Sequence, residues 1–230
     1  MKKISKMSEI AWVLSIVLCA FGVALSTKSG LGLSMISAPP YIMHVLGSRV
    51  FPWFTQGIAE YVWQALLLSV TCLITLRFRL KILISVIPVI IYGPVIDGFL
   101  FILGGGGQPE SFILRIVLFV LGELFISLAV AFVFRTYLPP MIPELVVVGI
   151  SSRYGFKPNN VKTVFDISCL ALSVILAVSA YFVTGKFVGV GIGTVILTLA
   201  NAPLIRLWGR LLDKLFVFDA AFPKLEKMLK

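Results

Sequence analysis

Residues 84–99, ISVIPVIIYGPVIDGF, align with residues 193–208, GTVILTLANAPLIRLW, and this pairing decides the fold. It sets Pro94 opposite Pro203 and Asp97 opposite Arg206. Earlier in each half a proline-bearing stretch follows a long apolar run: APPYIMHVLGSR at 38–49 and IPELVVVGISSR at 142–153. There Pro40 faces Pro143, and further on Glu60 faces Asp166. The register drifts by only a few residues between these anchors, which small loop insertions absorb. With three membrane spans in each half, the second copy enters the bilayer with opposite polarity. Inverted repeats interrupted by short Pro/Gly-broken helices recur in small-molecule transporters.

Composition sets the class. Hydrophobic residues make up 59% of the 230-residue chain, charged residues 13%, and mean hydropathy is +1.05. A soluble domain carries about a quarter charged residues, so this chain is built for lipid, and its length fits about six spans. The net charge of +10 does not point to nucleic acid, because the basic residues sit at span ends rather than in an aromatic-interleaved patch. Cys19, Cys72 and Cys169 lie in apolar runs, with neither disulfide nor metal-ligand spacing. His44 is the only histidine, so no multi-histidine metal motif exists and no cofactor is called for. Gly-x-Ser-x-Gly and His-Glu-x-x-His are absent, and an enzyme is not expected.

The expected spans are 9–27, 57–76, 82–103, 112–134, 164–184 and 188–208, each bounded by charge or by Gly/Pro punctuation. Ile10–Leu25 is longer than a signal-peptide core and reads as an uncleaved first span. With the N-terminus inside, 16 of the 20 Lys and Arg residues fall on the cytoplasmic face and 4 (Lys28, Arg49, Arg115, Lys186) on the other. Both termini are therefore expected in the cytoplasm. Two further apolar stretches, 38–47 and 141–151, are too short to span. Each starts at or just after proline, as a helix N-terminus does, and each fits either a re-entrant helix or one lying on the membrane surface. Residues 211–230, which follow Arg210, mix Leu211, Leu212, Leu215, Phe216 and Phe218 with Asp213, Lys214 and Asp219, an amphipathic cytoplasmic tail.

The expectation is thus an all-α, polytopic membrane bundle: one transmembrane domain over 1–210, with repeats at 9–103 and 112–208, and the tail at 211–230. Candidate functional residues are the polar groups inside it. Glu123 lies at the centre of the fourth span beside Gly122. A charge there costs at least about 2.5 kcal/mol, so it faces the interior or is held neutral; it reads as a proton or cation relay, a ligand contact, or a hydrogen-bonded packing group. Glu60 and Asp166 sit near the starts of the second and fifth spans, where acidic groups also suit the helix dipole. Asp166 has Lys162 one turn earlier as a pairing partner. Asp97 and Arg206 are repeat mates that inversion sends to opposite faces, and Glu144 opens the inner short helix opposite Tyr41. Gln64, Tyr92 and Asn201 are uncharged polar residues within spans, where helix–helix hydrogen bonding is the default reading.

Three segments carry a family likeness: STKSGLGLSMISAPPYIMHVLG, PPMIPELVVVGISSRYGFKPNNVKTVFDIS and VGVGIGTVILTLANAPLIRLW. They resemble the YczE/YyaS/YitT group of bacterial integral membrane proteins, over residues 10–208. The resemblance implies a multi-pass protein of the bacterial inner membrane with duplicated helical halves, and carries over no catalytic residues. Members often have an acidic residue in the first broken segment, where Tyr41 stands here, while Glu144 and Asp166 fit the second-half pattern. Three readings compete: a secondary transporter or exporter of a small solute, which the inverted repeat and Glu123 favour; a membrane accessory protein assisting a biosynthetic or export partner; and, last, a membrane-embedded enzyme. The expected partners are the bilayer, a small-molecule solute, and a second copy or another protein; nucleic acid is not among them.

Overall fold

Long apolar runs leave the backbone no partner in lipid but itself, so each closes into helix. The computed structural model describes residues 8–75, 84–105, 107–223 and 226. Among these it has eight helices and no strand: α1 Ser8–Ser29, α2 Ala38–Gly47, α3 Gln56–Thr75, α4 Val86–Ile102, α5 Phe112–Val133, α6 Ile142–Tyr154, α7 Pro158–Thr184 and α8 Ile192–Leu215. Five (α1, α3, α5, α7 and α8) are long and apolar enough to cross a membrane; α4 is a shorter apolar helix of 17 residues. Side chains such as Phe101, Ile113, Phe182 and Leu199 are exposed around the bundle, a density of apolar surface that water-soluble monomers avoid. This is a multi-pass membrane protein. The expected basic loop at 77–81, the glycine at 106 and the terminal lysines 2, 3, 6, 224, 227 and 230 lie outside the described residues.

The bundle is organised on α1 and α5, which run antiparallel in close contact. The C-terminal end of α1 meets the start of α5 where Arg115 Nε donates to Ser29 O at 2.7 Å, and the opposite ends meet where Trp12 Nε1 donates to Pro139 O at 3.0 Å. Midway, a Cβ placed on Gly22 would fall 2.7 Å from Gly122 O, and one on Gly122 would fall 2.8 Å from Gly22 O. Only paired glycines let two backbones approach this closely. α4 packs on α1 and α8 on α5; α2 packs on α3 and α7, and α6 likewise on α3 and α7.

The two short helices are held inside the protein by their first turns. Ala38, Pro39, Pro40 and Ile42 of α2 are buried, as are Ile142, Pro143, Leu145, Val146 and Val147 of α6, whereas the C-terminal half of α2 is only half-buried and the last residues of α6 are exposed. Proline at N1 or N2 gives up an amide that has no intrahelical partner there anyway. Deeper in the bundle, Pro94 interrupts α4 and Pro203 interrupts α8. Pro94 cannot donate to the carbonyl of Ile90, and Tyr61 Oη donates to that oxygen instead at 2.7 Å.

The tail departs from the expected boundary. Residues 211–215 prolong α8, tied to α5 by a bidentate Arg135–Asp213 pair at 2.6 and 2.7 Å. The chain then folds back so that Phe216 and Phe218 pack on Ala11, Ala131 and Phe132, and the Glu9 carboxylate accepts from the amides of Ala221 and Phe222. Burial of these rings against α1 and α5, rather than an interfacial helix, takes up the apolar face.

Substituting Gly122 by valine should force α1 and α5 apart. Overpacking of this kind costs about 1–3 kcal/mol, and thermal unfolding of the purified protein in detergent should show a clearly lowered midpoint. An unchanged midpoint would mean that the glycine crossing does not set the helix spacing.

Candidate functional site

A cavity of about 840 Å³ occupies the centre of the bundle, lined from all of the helices except α2, together with residues 34–37 that lead into α2. Its polar groups come from elements the repeat alignment pairs. Glu60, Trp63 and Gln64 of α3 stand at i, i+3 and i+4, one face of one turn. Tyr92 of α4 and Asn201 of α8 share a register in the aligned segments, two residues before Pro94 and Pro203 respectively. Glu144 enters from the first turn of α6, Lys162 and Asp166 from α7, and Arg206 from α8. Apolar walls between them include Val23, Met35, Ile126 and Leu197.

The charges fall into two groups. Lys162 Nζ pairs with Asp166 Oδ1 at 2.7 Å, the expected one-turn pair, and both are close enough to Glu144 to interact with it electrostatically. Glu60 has no such cation beside it among the described residues; Gln64 is its hydrogen-bonding neighbour. Glu60, Trp63 and Gln64 are only 4%, 3% and 2% exposed, yet Glu60 Oε1, Trp63 Nε1 and Gln64 Oε1 have no hydrogen-bond partner among the described residues, nor does Asn201 Oδ1. Each unsatisfied buried group costs about 1–3 kcal/mol, more when charged. All four side chains belong to the cavity lining, and together these buried atoms are three acceptors and one donor with no partner among the described residues.

The remaining candidates lie elsewhere. Asp97 is outside the lining: its Oδ1 accepts from the Gly57 amide at 2.9 Å and so caps the start of α3. Glu123 is 4% exposed and also outside the lining, next to the Gly22–Gly122 crossing, with neither carboxylate oxygen hydrogen-bonded. The structure therefore gathers Glu60, Glu144, Asp166 and Arg206 into the cavity and leaves Asp97 and Glu123 apart from it. Trp63 belongs to the site without having been marked in the sequence, although its place three residues after Glu60 was a signal. His44 Nδ1 lies 2.8 Å from Phe54 O in the loop after α2, away from the cavity. No group of three or more His, Cys, Asp or Glu among the described residues is arranged to hold a metal ion.

A second hollow, an apolar groove of about 600 Å³, runs along α3, α6 and α7 between Leu66, Val70, Ile150 and Val164. It carries almost no polar surface.

Residues 6–210 match a family model described as a family of unknown function (DUF6198), and the chain belongs to that family. No curated protein and no solved structure matches it.

A residue kept for binding and one kept for folding should separate in stability measurements. Replacing Glu60 by methionine removes an unpaired buried carboxylate at similar volume, and the unfolding midpoint should hold or rise. Asp97→Ala removes a helix cap and should cost about 0.5–2 kcal/mol. A large loss from Glu60→Met would assign that carboxylate to the fold instead.

Proposed function

We propose that the protein is a secondary transporter of a small solute, not an enzyme, and that its two halves are inverted repeats around one central pathway. The observation that carries this reading is the cavity, where repeat mates Glu60 and Asp166, and Tyr92 and Asn201, line the same space. The helix packing supports it. Exchanging α1 for α5, α2 for α6, α3 for α7 and α4 for α8 turns the contacts α1–α4, α2–α3 and α2–α7 into α5–α8, α6–α7 and α6–α3, all of which occur, whereas α3–α4 has no comparable counterpart between α7 and α8. The antiparallel α1–α5 pair sits on the axis of that exchange, and antiparallel mates are what inversion requires. The buried first turns of α2 and α6 fit the re-entrant alternative. The resemblance to the YczE/YyaS/YitT group belongs to the same proposal.

The two ends of the bundle differ. Near the end of α1, Lys28 donates to Gly105 O at 2.9 Å, Gly193 N to Leu31 O at 3.1 Å and Leu33 N to Gly189 O at 3.0 Å. None of these residues lines the cavity, which instead extends toward Phe134, Lys162 and Arg206. The positive-inside bias makes that second end cytoplasmic, so the conformation is inward-facing, in the bacterial inner membrane, with both termini in the cytoplasm. The groove on α3, α6 and α7 is what an accessory protein would offer a partner helix, and it is the observation favouring that second reading.

In a variant lacking the native cysteines, Ala202→Cys should react with an impermeant thiol reagent in inside-out vesicles, and Gly107→Cys in intact cells. The reverse pattern would overturn the orientation. Proteoliposomes loaded with a small-metabolite extract should exchange at least one solute, read by mass spectrometry, and Thr198→Trp, which fills the cavity, should abolish the exchange. Identical solute pools in the two preparations would remove the transport reading.

A further inference from the structure

We propose that the ligand of the central cavity is a small organic primary amine, held as its ammonium ion at Glu60 with its apolar body along Trp63 and Tyr92. The inference rests on reading the cavity as a ligand site and adds the chemical class. Three of the four unpartnered polar atoms, Glu60 Oε1, Gln64 Oε1 and Asn201 Oδ1, are acceptors. A primary ammonium offers three donors and no acceptor. The fourth atom, Trp63 Nε1, only donates, and suits an acceptor elsewhere on the same molecule.

Charge points the same way. The cavity holds three carboxylates, Glu60, Glu144 and Asp166, against Lys162 and Arg206. Lys162 is paired with Asp166 and within electrostatic reach of Glu144, and no cation stands beside Glu60 among the described residues, which leaves Glu60 as the carboxylate in need of a counter-charge. A carboxylic acid as ligand would bring a second anion to that position. A hydrated divalent metal would want about six oxygen ligands in place of aromatic rings. Trp63 and the buried Tyr92, which lies within electrostatic reach of Glu60, supply apolar area and ring faces that attract organic cations. The volume of about 840 Å³ matches pockets that enclose small organic molecules rather than single ions.

The test compares three probes of one shape, 2-phenylethylamine, 2-phenylethanol and 3-phenylpropionate, by the shift each gives in the unfolding midpoint of the purified protein. The amine should raise the midpoint, and the alcohol and acid should not. Glu60→Gln should bind the amine about tenfold more weakly or worse, since it loses a charge-assisted hydrogen bond. Glu60→Asp, which keeps the charge, should retain the preference for amine, and serves if the glutamine variant fails to fold. Equal shifts for all three probes, a preference for the acid, no shift with the amine, or full amine binding by Glu60→Gln would each overturn the proposal. Counterflow of labelled 2-phenylethylamine in proteoliposomes separates the two readings. Amine binding without counterflow would sink transport and keep the amine site. Thr198→Trp-sensitive exchange of a different solute, with no amine binding, would sink the amine and keep transport.

Discussion

The antiparallel crossing of α1 and α5 at Gly22 and Gly122 is the constraint from which the other placements follow. In lipid there is no water to expel from between helices, so association depends on how closely backbones approach and on which polar groups meet. Glycine on both sides brings each carbonyl under the other helix. That contact fixes where the ends of α1 and α5 lie. Arg115 then reaches Ser29 O and Gly30 O at one end, and Trp12 and Ser8 reach the chain after α5 at the other. α4 and α8 attach to the flanks of the pair, and the short helices dock against α3 and α7 beyond it. The cavity is the space left between a tightly joined pair and a looser surround.

That space is energetically awkward, which is what gives it meaning. A bundle selected for stability alone would fill it with leucine and phenylalanine, as the clusters around Ile16, Ala20 and Val23 and around Met35, Leu67 and Val146 do nearby. Instead one oxygen of Glu60, the amide oxygens of Gln64 and Asn201 and the Trp63 indole N–H in its lining have no partner among the described residues. Polar groups that do serve the fold look different in the same structure. Asp97 caps an amide, Ser173 Oγ donates to Cys169 O, Tyr61 covers the carbonyl that Pro94 leaves free, and Arg135 is closed by Asp213.

Much of this was legible in the chain. Apolar length located the helices, prolines at 40 and 143 located the short ones, and the one-turn spacing of Lys162 and Asp166 announced their pair. Membrane depth was a poorer guide. Glu123 sits at mid-span and was the strongest candidate on that ground, yet its helix turns it toward the α1 crossing and away from the cavity lining. A single sequence gives the depth of a residue but not the azimuth of its helix, because lipid-facing and protein-facing surfaces of a span are both apolar. Weak amphipathicity hid Trp63 for the same reason: in a helix rich in apolar side chains, one indole among them carries no mark. The boundary at 210 failed to anticipate the fold-back because the rings at 216 and 218 are equally suited to a bilayer surface and to Phe132.

The prolines connect the framework to the site. Pro94 and Pro203 each remove one backbone hydrogen bond from a helix that lines the cavity, and Tyr92 and Asn201 lie two residues before them. A helix missing a bond bends there more cheaply than elsewhere. The side chains just before the break can therefore change direction without moving both halves of the helix together. On α4 the freed carbonyl of Ile90 is held by Tyr61 from α3, one residue from Glu60. Any shift of α4 relative to α3 must break or carry that bond, so the bend at Pro94 and the position of Glu60 are mechanically linked. Gly93 and Gly57 make the link tight: a Cβ on Gly93 would fall 2.6 Å from the Tyr61 ring, and one on Gly57 would strike the Gly93 carbonyl. Tyr61 thus ties the segment of α4 just before Pro94 to the turn of α3 that carries Glu60.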